Sequence, residues 1–232
     1  MEALILAAGD GTRMGLFTAR TPKVLLEVNG EPIIVKTLNS LKNIGISRVI
    51  VVVGYLGDRI IKYLGDAWKG LRIDYALSDW YGDGIVRSII KARDYIDESF
   101  LLLLGDNIFE EELLRNLANA SGDFILPVDK DLSREGLRIR YDFEGKIIEW
   151  GNELIEYNGI AIGASLCSPV VFEAYEEVLR NDKADRLDCV PWLYENGYSV
   201  KILEVYNKKW FDVDTLEDLY QARRTQGLRG TL

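Results

Sequence analysis

The chain has 232 residues, of which 48% are hydrophobic and 28% charged, and it contains no apolar stretch long enough to cross a membrane. This composition excludes a low-complexity chain and predicts a single domain with a sizeable buried core. The net charge of −9 argues against a broad basic surface that binds nucleic acid, and the absence of histidine excludes every site that needs an imidazole.

The first half of the chain alternates apolar runs of strand length with segments of helical periodicity. Met1 leads directly into the first run without a basic, cleavable leader, so we expect a cytoplasmic protein. The predicted strands are 3–8, 48–53, 72–77 and 100–104, and the predicted helices are 32–44, 58–64, 85–95 and 110–120. This alternation indicates βαβ units, which build a mainly parallel sheet.

The second half departs from that alternation. Residues 137–141 and 146–150 predict an antiparallel hairpin. The other predicted strands are 124–128, 157–166 and 200–205, and the predicted helices are 170–179, 187–194 and 215–224. Cys167 and Cys189 lack the paired spacing of a zinc site, so we expect reduced core residues. No linker interrupts residues 1–224, which predicts one domain followed by a frayed tail over 225–232.

A glycine-rich loop, GDGTRM at residues 9–14, follows the first strand directly. Ligands of parallel sheets bind at this edge, and a glycine-rich backbone can approach an anion and offer it free N–H groups. A plain tight turn is the alternative. Met14 replaces the third glycine of a dinucleotide-binding loop, and no Gly-Lys-Ser/Thr follows as in a Walker A loop, so both of those motifs are excluded.

Two cations belong to the same segment. Arg13 lies within the glycine-rich loop and Lys23 follows shortly after it. Arginine offers a planar fork to a phosphate and lysine a mobile point charge. Either residue alone is typical of a solvated surface, but the pair beside such a loop predicts a phosphate site.

Carboxylates follow at two distant places. Asp106 comes directly after the most apolar predicted strand, so it is expected at the same sheet edge and needs a neutralising cation such as Mg²⁺. The alternative is an N-cap of helix 110–120. Asp212 and Asp214 point to one side of an extended segment, whereas Thr215 and Asp218 resemble a capping box. Which of Asp212 and Asp214 binds metal stays open.

These segments together resemble a known family. LAAGDGTRM at residues 6–14, Thr18 and Pro22-Lys23 resemble the signature of the sugar-phosphate nucleotidyltransferases, although Leu16 and Phe17 replace the usual Pro-Leu. The resemblance implies a Rossmann-like, three-layer α/β nucleotidyltransferase fold. Its mixed, mainly parallel central sheet is flanked by helices and carries a small antiparallel hairpin extension.

The resemblance also implies roles for individual residues. The expected catalytic residues are Arg13, Lys23 and Asp106, and the expected metal ligands are Asp106, Asp212 and Asp214. The expected nucleotide-binding residues are Leu6, Ala8, Gly9, Asp10, Gly11, Thr12, Ser78, Gly82 and Ser88. The expected acceptor-binding residues are Tyr157, Asn158 and Gly159. Relatives often carry a lysine in the acceptor region, where this chain has Gly151-Asn152.

The implied reaction is Mg²⁺-dependent nucleotidyl transfer, in which the acceptor's phosphate oxygen attacks the α-phosphorus of an NTP in line. A phosphate monoester is already anionic, which suits a chain without histidine. The short chain and the segment DVDT at residues 212–215 resemble the small cytidylyltransferases of the CTP:inositol-1-phosphate type. That resemblance implies CTP and inositol 1-phosphate as substrates and CDP-inositol and pyrophosphate as products.

Two alternatives remain open, a hexose-1-phosphate thymidylyl- or guanylyltransferase and a non-catalytic nucleotide-binding subunit. In the cytidylyltransferase family this domain can precede a membrane-embedded CDP-alcohol phosphotransferase, so we expect a fusion junction near Leu232. The residues leave open whether the chain forms a homodimer.

Overall fold

The computed structural model describes residues 1–78, 84–181, 185–206 and 210–227. Its strands are β1 (Glu2–Ala7), β2 (Glu27–Val28), β3 (Glu31–Pro32), β4 (Arg48–Val53), β5 (Ala67–Trp68), β6 (Leu71–Leu77), β7 (Phe100–Leu104), β8 (Asn107–Phe109), β9 (Phe124–Asp129), β10 (Arg138–Tyr141), β11 (Ile147–Gly151), β12 (Gly159–Ala161), β13 (Ala164–Cys167), β14 (Val200–Val205) and β15 (Trp210–Asp212). Its α-helices are α1 (Ile33–Asn43), α2 (Gly57–Leu64), α3 (Gly84–Ile90), α4 (Glu111–Ala118), α5 (Val171–Arg180), α6 (Val190–Glu195) and α7 (Leu216–Gly227).

A mixed sheet forms the centre of the fold. Within the described residues it has eleven strands, in the order β11-β10-β12-β9-β13-β7-β1-β4-β6-β5 with β14 paired to β9. The neighbours β7, β1, β4 and β6 are all parallel, as predicted from the βαβ alternation. The predicted hairpin is confirmed as the antiparallel pair β10 and β11. Within the described ranges, no helix is both long and apolar enough to cross a membrane.

Alternating side chains of the parallel strands pack into two separate hydrophobic cores, one on each face of the sheet. Ile5 and Val51 pack on one face of the sheet with residues of α1, α2 and α4. Leu4 and Ile50 pack on the other face with residues of α3, α5 and α6. Strand side chains alternate with a period of two, so both faces of these strands are covered and apolar. The predicted three-layer α/β fold is thereby confirmed.

Several predicted elements differ from the observed ones. The predicted strand 157–166 is two strands, β12 and β13, because the chain bends at Ile162-Gly163, where the Arg186 guanidinium binds the carbonyl oxygens of Ile162 and Ala164. The predicted helix 85–95 is divided into α3 and a 3₁₀ turn, Arg93–Tyr95. The last helix extends to Gly227, beyond its predicted end at Arg224.

One small antiparallel ladder joins distant parts of the chain. β8 begins directly after Asp106, and its partner β15 ends at Asp212, which pairs with Asn107. The amide of Val213 also donates to the backbone oxygen of Asp106 over 3.1 Å. Neither strand was predicted, because three-residue strands are too short to show a periodicity. The ladder brings the two acidic segments to one sheet edge.

We predict that Gly105→Ala destabilises the fold at the point where β7 meets this ladder. A Cβ on Gly105 would lie 2.5 Å from the backbone oxygen of Leu6 in neighbouring β1. Such overpacking typically lowers the free energy of unfolding by about 1–3 kcal/mol, which urea denaturation would measure. Gly9→Ala is the matched control, since a Cβ there meets nothing within 4 Å. Equal stability of the two variants would contradict this account.

Candidate active site

A cleft of about 210 Å³ opens at the carboxyl ends of β1 and β7. Its lining combines the glycine-rich loop, both predicted cations and two of the predicted carboxylates. The lining residues are Leu6, Ala7, Gly9, Asp10, Gly11, Thr12, Arg13, Pro22, Lys23, Val24, Asp106 and Asp214. Ala7, Pro22 and Val24 were not among the expected binding residues, because their side chains carry no polar group. The cleft therefore unites segments nearly two hundred residues apart.

The two glycines of the loop have different surroundings. Gly11 has a φ of +64°, and a Cβ there would lie 2.9 Å from Cγ2 of Thr18. The buried Thr18 hydroxyl donates to the Gly11 carbonyl over 2.8 Å, so the turn itself explains both residues. Asp10 likewise caps the turn by accepting from the Thr12 amide. Gly9 is different, because no atom outside its own chain neighbours lies near a Cβ position. The turn does not require Gly9, which leaves that backbone open to a ligand.

Lys23 is the central cation of the cleft. Its ammonium donates to Oδ2 of Asp106 over 2.8 Å and to Oδ1 of Asp214 over 2.5 Å, and its side chain is only 11% exposed. Burial disfavours the charged ammonium, but the adjacent Asp106 and Asp214 carboxylates outweigh that effect and raise the pKa of Lys23 above its usual value. Arg13, which is largely exposed, binds the other oxygen of Asp214. Both cations thus contact carboxylates in this state.

The three carboxylates are close enough to hold one ion. Single oxygens of Asp106, Asp212 and Asp214 all lie within 4.8 Å of one another. The Asn107 side chain connects two of them, since its Nδ2 donates to Asp106 over 2.9 Å and to Asp212 over 3.1 Å. Sequence analysis did not assign a role to Asn107; the only available signal was an amide directly after Asp106, ahead of an apolar pair.

The two aspartates of the second segment differ in their electrostatics. Burial, together with the negative charges of Asp106 and Asp214, raises the pKa of Asp212 to about 8. Burial acts in the same direction on Asp214, but its hydrogen bond and ion pair with Lys23 and the nearby charge of Arg13 lower its pKa below the usual value. Asp214 is therefore an anchor for cations, whereas Asp212 lacks a cationic partner within the described part of the chain.

The structure also decides between the local alternatives for these acidic residues. Asp106 is not a helix cap, since α4 follows Glu110 and has no side-chain cap. The capping box is present, because the Thr215 amide donates to Asp218 over 2.7 Å and the Asp218 amide donates back to the Thr215 hydroxyl over 3.3 Å. Local helix capping thus explains Thr215 and Asp218, and it does not explain Asp212 or Asp214, of which Asp214 lines the cleft.

Several expected nucleotide-binding residues do not line the cleft. Ala8 is buried, and its carbonyl accepts from the Tyr55 amide. Ser78 follows β6, two strands away from β1, and Ser88 lies on α3 with its hydroxyl 3.5 Å from a carbonyl of its own helix. Gly82 lies outside the described residues. Contact of these residues with a nucleotide stays a prediction.

The expected acceptor-binding residues also lie outside the cleft lining. The Asn158 amide exchanges two hydrogen bonds with the backbone of Tyr141. A Cβ on Gly159 would lie 2.1 Å from Val128, so close strand packing accounts for this glycine. The Tyr157 ring carries a guanidinium over its face. These contacts give all three residues structural roles, and acceptor binding stays a prediction.

Comparison with known proteins identifies the family. The MobA-like NTP transferase domain matches residues 3–229, and the chain belongs to that family. The UTP–glucose-1-phosphate uridylyltransferase AglF of Haloferax volcanii is 33% identical to it over 97% of this chain and 96% of its own length. The bifunctional IPC transferase and DIPP synthase of Archaeoglobus fulgidus is 29% identical over 97% of this chain, which spans 43% of that protein.

A solved structure agrees with this assignment at the level of the fold. The inositol-1-phosphate CTP transferase of T. maritima superimposes with a TM-score of 0.81 and 23% identity, over 100% of this chain and 97% of its own. Family, fold and relatives together establish a nucleotidyltransferase of the sugar-phosphate type.

We predict that Lys23→Met destabilises the fold in a pH-dependent manner. Without the ammonium, the pKa of Asp214 is no longer held down by Lys23 and the raised pKa of Asp212 rises further, so the loss grows as pH increases. We expect a loss of about 1–3 kcal/mol in the free energy of unfolding near pH 7.5, and a clearly smaller loss near pH 4.5, where the carboxylates can bind protons. Urea denaturation at both pH values would measure the difference.

Lys36→Met is the control for this experiment. Its ammonium lies 3.6 Å from a single carboxylate, that of Glu31, and outside the cleft. Its removal is expected to cost less than about 1 kcal/mol, with little dependence on pH. A pH-independent loss in Lys23→Met would show that the carboxylates are not held together by this cation.

Proposed function

We propose that the chain transfers a nucleoside monophosphate from an NTP to the phosphate of a small polyol or sugar, with CTP and inositol 1-phosphate as the substrate pair. The convergence of Arg13, Lys23, Asp106 and Asp214 in one cleft, with the Asp212 carboxylate close beside them, carries this proposal. The names of the Archaeoglobus fulgidus and T. maritima relatives support the substrate pair.

The cation pair suits the phosphates of an NTP. Gly9 leaves space for a phosphate to approach the backbone, and residues 9–13 of the loop line the same cleft. Lys23 and Arg13 are free to exchange their carboxylate partners for phosphate oxygens when an NTP arrives. There they would neutralise the departing pyrophosphate, a type of electrostatic stabilisation that is often worth about a hundredfold to a thousandfold in rate.

The donor set fits a Mg²⁺ ion. Mg²⁺ prefers one or two carboxylates together with phosphate oxygens and water, and three neighbouring carboxylates cluster at the cleft, two of them in its lining, beside the proposed phosphate site. We propose Asp106 and Asp212 as its ligands, because Asp214 already binds Arg13 and Lys23. Asp214 lines the cleft and Asp212 lies behind the lining residues, within 4.8 Å of the other two carboxylates, but the charge balance favours the residue without an ion pair. When bound, Mg²⁺ would neutralise charge on the transferring phosphoryl group.

A second substrate pair, UTP and glucose 1-phosphate, is supported by a different observation. The relative that is 33% identical along nearly its whole length is named a UTP–glucose-1-phosphate uridylyltransferase. The cleft does not distinguish the two pairs, since its polar groups are charges and backbone groups suited to phosphates. The acceptor phosphate is common to both.

The substrate pair is tested by pyrophosphate release with CTP, UTP, GTP and dTTP, each offered with inositol 1-phosphate and with glucose 1-phosphate. We expect the highest kcat/KM for CTP with inositol 1-phosphate, and none without a divalent metal. A maximum for UTP with glucose 1-phosphate would establish the second pair. NTP binding without pyrophosphate release in any combination would instead indicate a non-catalytic subunit.

Asp106→Asn is the matched control for that panel. We expect the rate to fall by at least about a hundredfold with the best pair, while the melting temperature stays near that of the wild type. The substitution keeps the side chain's shape and removes one negative charge beside Lys23. A rate above about a tenth of the wild-type value would remove Asp106 from the mechanism.

We further predict that Asp212→Asn and Asp214→Asn have different kinetic effects. Asp212→Asn should raise the half-saturating Mg²⁺ concentration at least about tenfold, because a metal ligand is lost. Asp214→Asn should mainly raise KM for the NTP, because Arg13 and Lys23 lose their anchor. Mg²⁺ titrations at saturating NTP and NTP titrations at saturating Mg²⁺ separate the two effects. The reverse assignment of the two variants would make Asp214 the ligand.

A further inference from the structure

The side chain of Asn107 lies at the junction of the two acidic segments. It is 1% exposed, and its single Nδ2 group donates to Oδ1 of Asp106 and to Oδ1 of Asp212. These carboxylates belong to segments about a hundred residues apart in sequence. One neutral amide therefore bridges the two residues that we propose as metal ligands.

The other end of the same amide has no hydrogen-bond partner. Oδ1 of Asn107 is buried and unpartnered among the described residues. A buried carbonyl in that state costs stability, and an apolar side chain of equal shape would avoid the cost. Rotating the amide would not help, because Oδ1 would then face two carboxylates. The orientation of the side chain is thus dictated by Asp106 and Asp212, at the expense of its own oxygen.

The surrounding backbone fixes Asn107 in this position. A Cβ on Gly163 would lie 2.4 Å from Oδ1 of Asn107, so only glycine leaves room for the amide. Buried Arg186 binds the carbonyl oxygens on both sides of that glycine, at Ile162 over 2.5 Å and at Ala164 over 3.2 Å. On the other side, the Thr37 hydroxyl donates to the backbone oxygen of Asn107 over 3.2 Å. The amide has little freedom to move.

We propose that Asn107 is a positioning residue, whose amide sets the separation of Asp106 and Asp212 for a divalent cation, and that Gly163 and Arg186 support it from behind. A neutral donor suits this task. It holds two carboxylates together without cancelling the negative charge that attracts the metal, whereas the Lys23 ammonium competes with the metal for Asp106. Hydrogen bonds that orient metal ligands commonly affect metal affinity by about tenfold to a hundredfold.

The inference rests on the proposed metal site, so the test measures metal binding directly. The probe is Mn²⁺ alone, titrated by calorimetry and by electron paramagnetic resonance into the whole chain. Asn107→Leu keeps the approximate size of the side chain, removes the donor and removes the unpartnered oxygen. We expect its dissociation constant for Mn²⁺ to rise at least about tenfold, while its melting temperature without metal stays within a few degrees of the wild type or increases.

Asn39→Leu is the matched control. The Asn39 amide is satisfied at both ends, by Glu31 and by Trp68, away from the cleft. Its loss should lower the melting temperature and leave Mn²⁺ affinity unchanged. A merely structural Asn107 would behave like Asn39, which is the opposite pattern to the one expected.

Each outcome decides a separate question. If the wild type binds Mn²⁺ and Asn107→Leu binds it equally well, the positioning role is wrong while the proposed function stands. If the wild type itself binds no metal, the proposed metal site fails first. Should Asn107→Leu not fold, Asn107→Ala replaces it with the same metal readout, since it also removes the donor. Gly163→Ala, which forces the amide aside, is expected to weaken Mn²⁺ binding as well.

Discussion

Mutual repulsion of carboxylates is the constraint on which the cleft depends. The oxygens of the three carboxylates lie within 4.8 Å of one another, and two unit negative charges at that limit repel by roughly 3 kcal/mol at the effective dielectric constant of about 20 that suits such sites. Backbone pairing between β8 and β15 holds Asp106 and Asp212 close together despite this repulsion. The chain meets the cost in three ways: Lys23 binds two of the carboxylates, Asn107 bridges two, and Asp212 has a pKa raised towards neutrality.

The pKa values of Asp212 and Asp214 are shifted in opposite directions, which gives these two aspartates different roles. Asp214 is charged and anchors both cations, so Arg13 and Lys23 are oriented in the cleft before any NTP arrives. A divalent cation would stabilise the charged form of Asp212. It would thereby offset the desolvation and the repulsion that raise the pKa of this carboxyl. Preorganised cations beside a buried carboxylate without an ion pair fit the metal-bound triphosphate that we propose as the ligand.

The sequence was sufficient wherever one strand or one turn determines position. Asp106 follows one apolar strand and GDGTRM follows another. Parallel strands bring their carboxyl ends to one edge of the sheet, so the proximity of the Asp106 carboxylate to the glycine-rich loop could be predicted. Contacts between segments that are distant in the sequence could not be predicted. Nothing local indicates that Asp212 pairs with Asn107, or that Arg186 is buried against the carbonyls that flank Gly163. Charged residues are rarely buried, so a sequence pattern gives no reason to expect one there.

The charges of the cleft do not discriminate between one nucleotide and another. Every polar group of the cleft suits a phosphate or a cation, and these are common to all NTPs. Discrimination between bases requires hydrogen bonds to the base itself, since a site rejects a wrong partner by leaving its own polar groups unpaired. We propose that such groups lie beyond the cleft, towards the carboxyl ends of β4 and β6, where Tyr55 and Ser78 follow the strands. That edge is separate from the carboxylates and cations, so a charge arrangement of this kind is compatible with either of the proposed nucleotides, CTP or UTP.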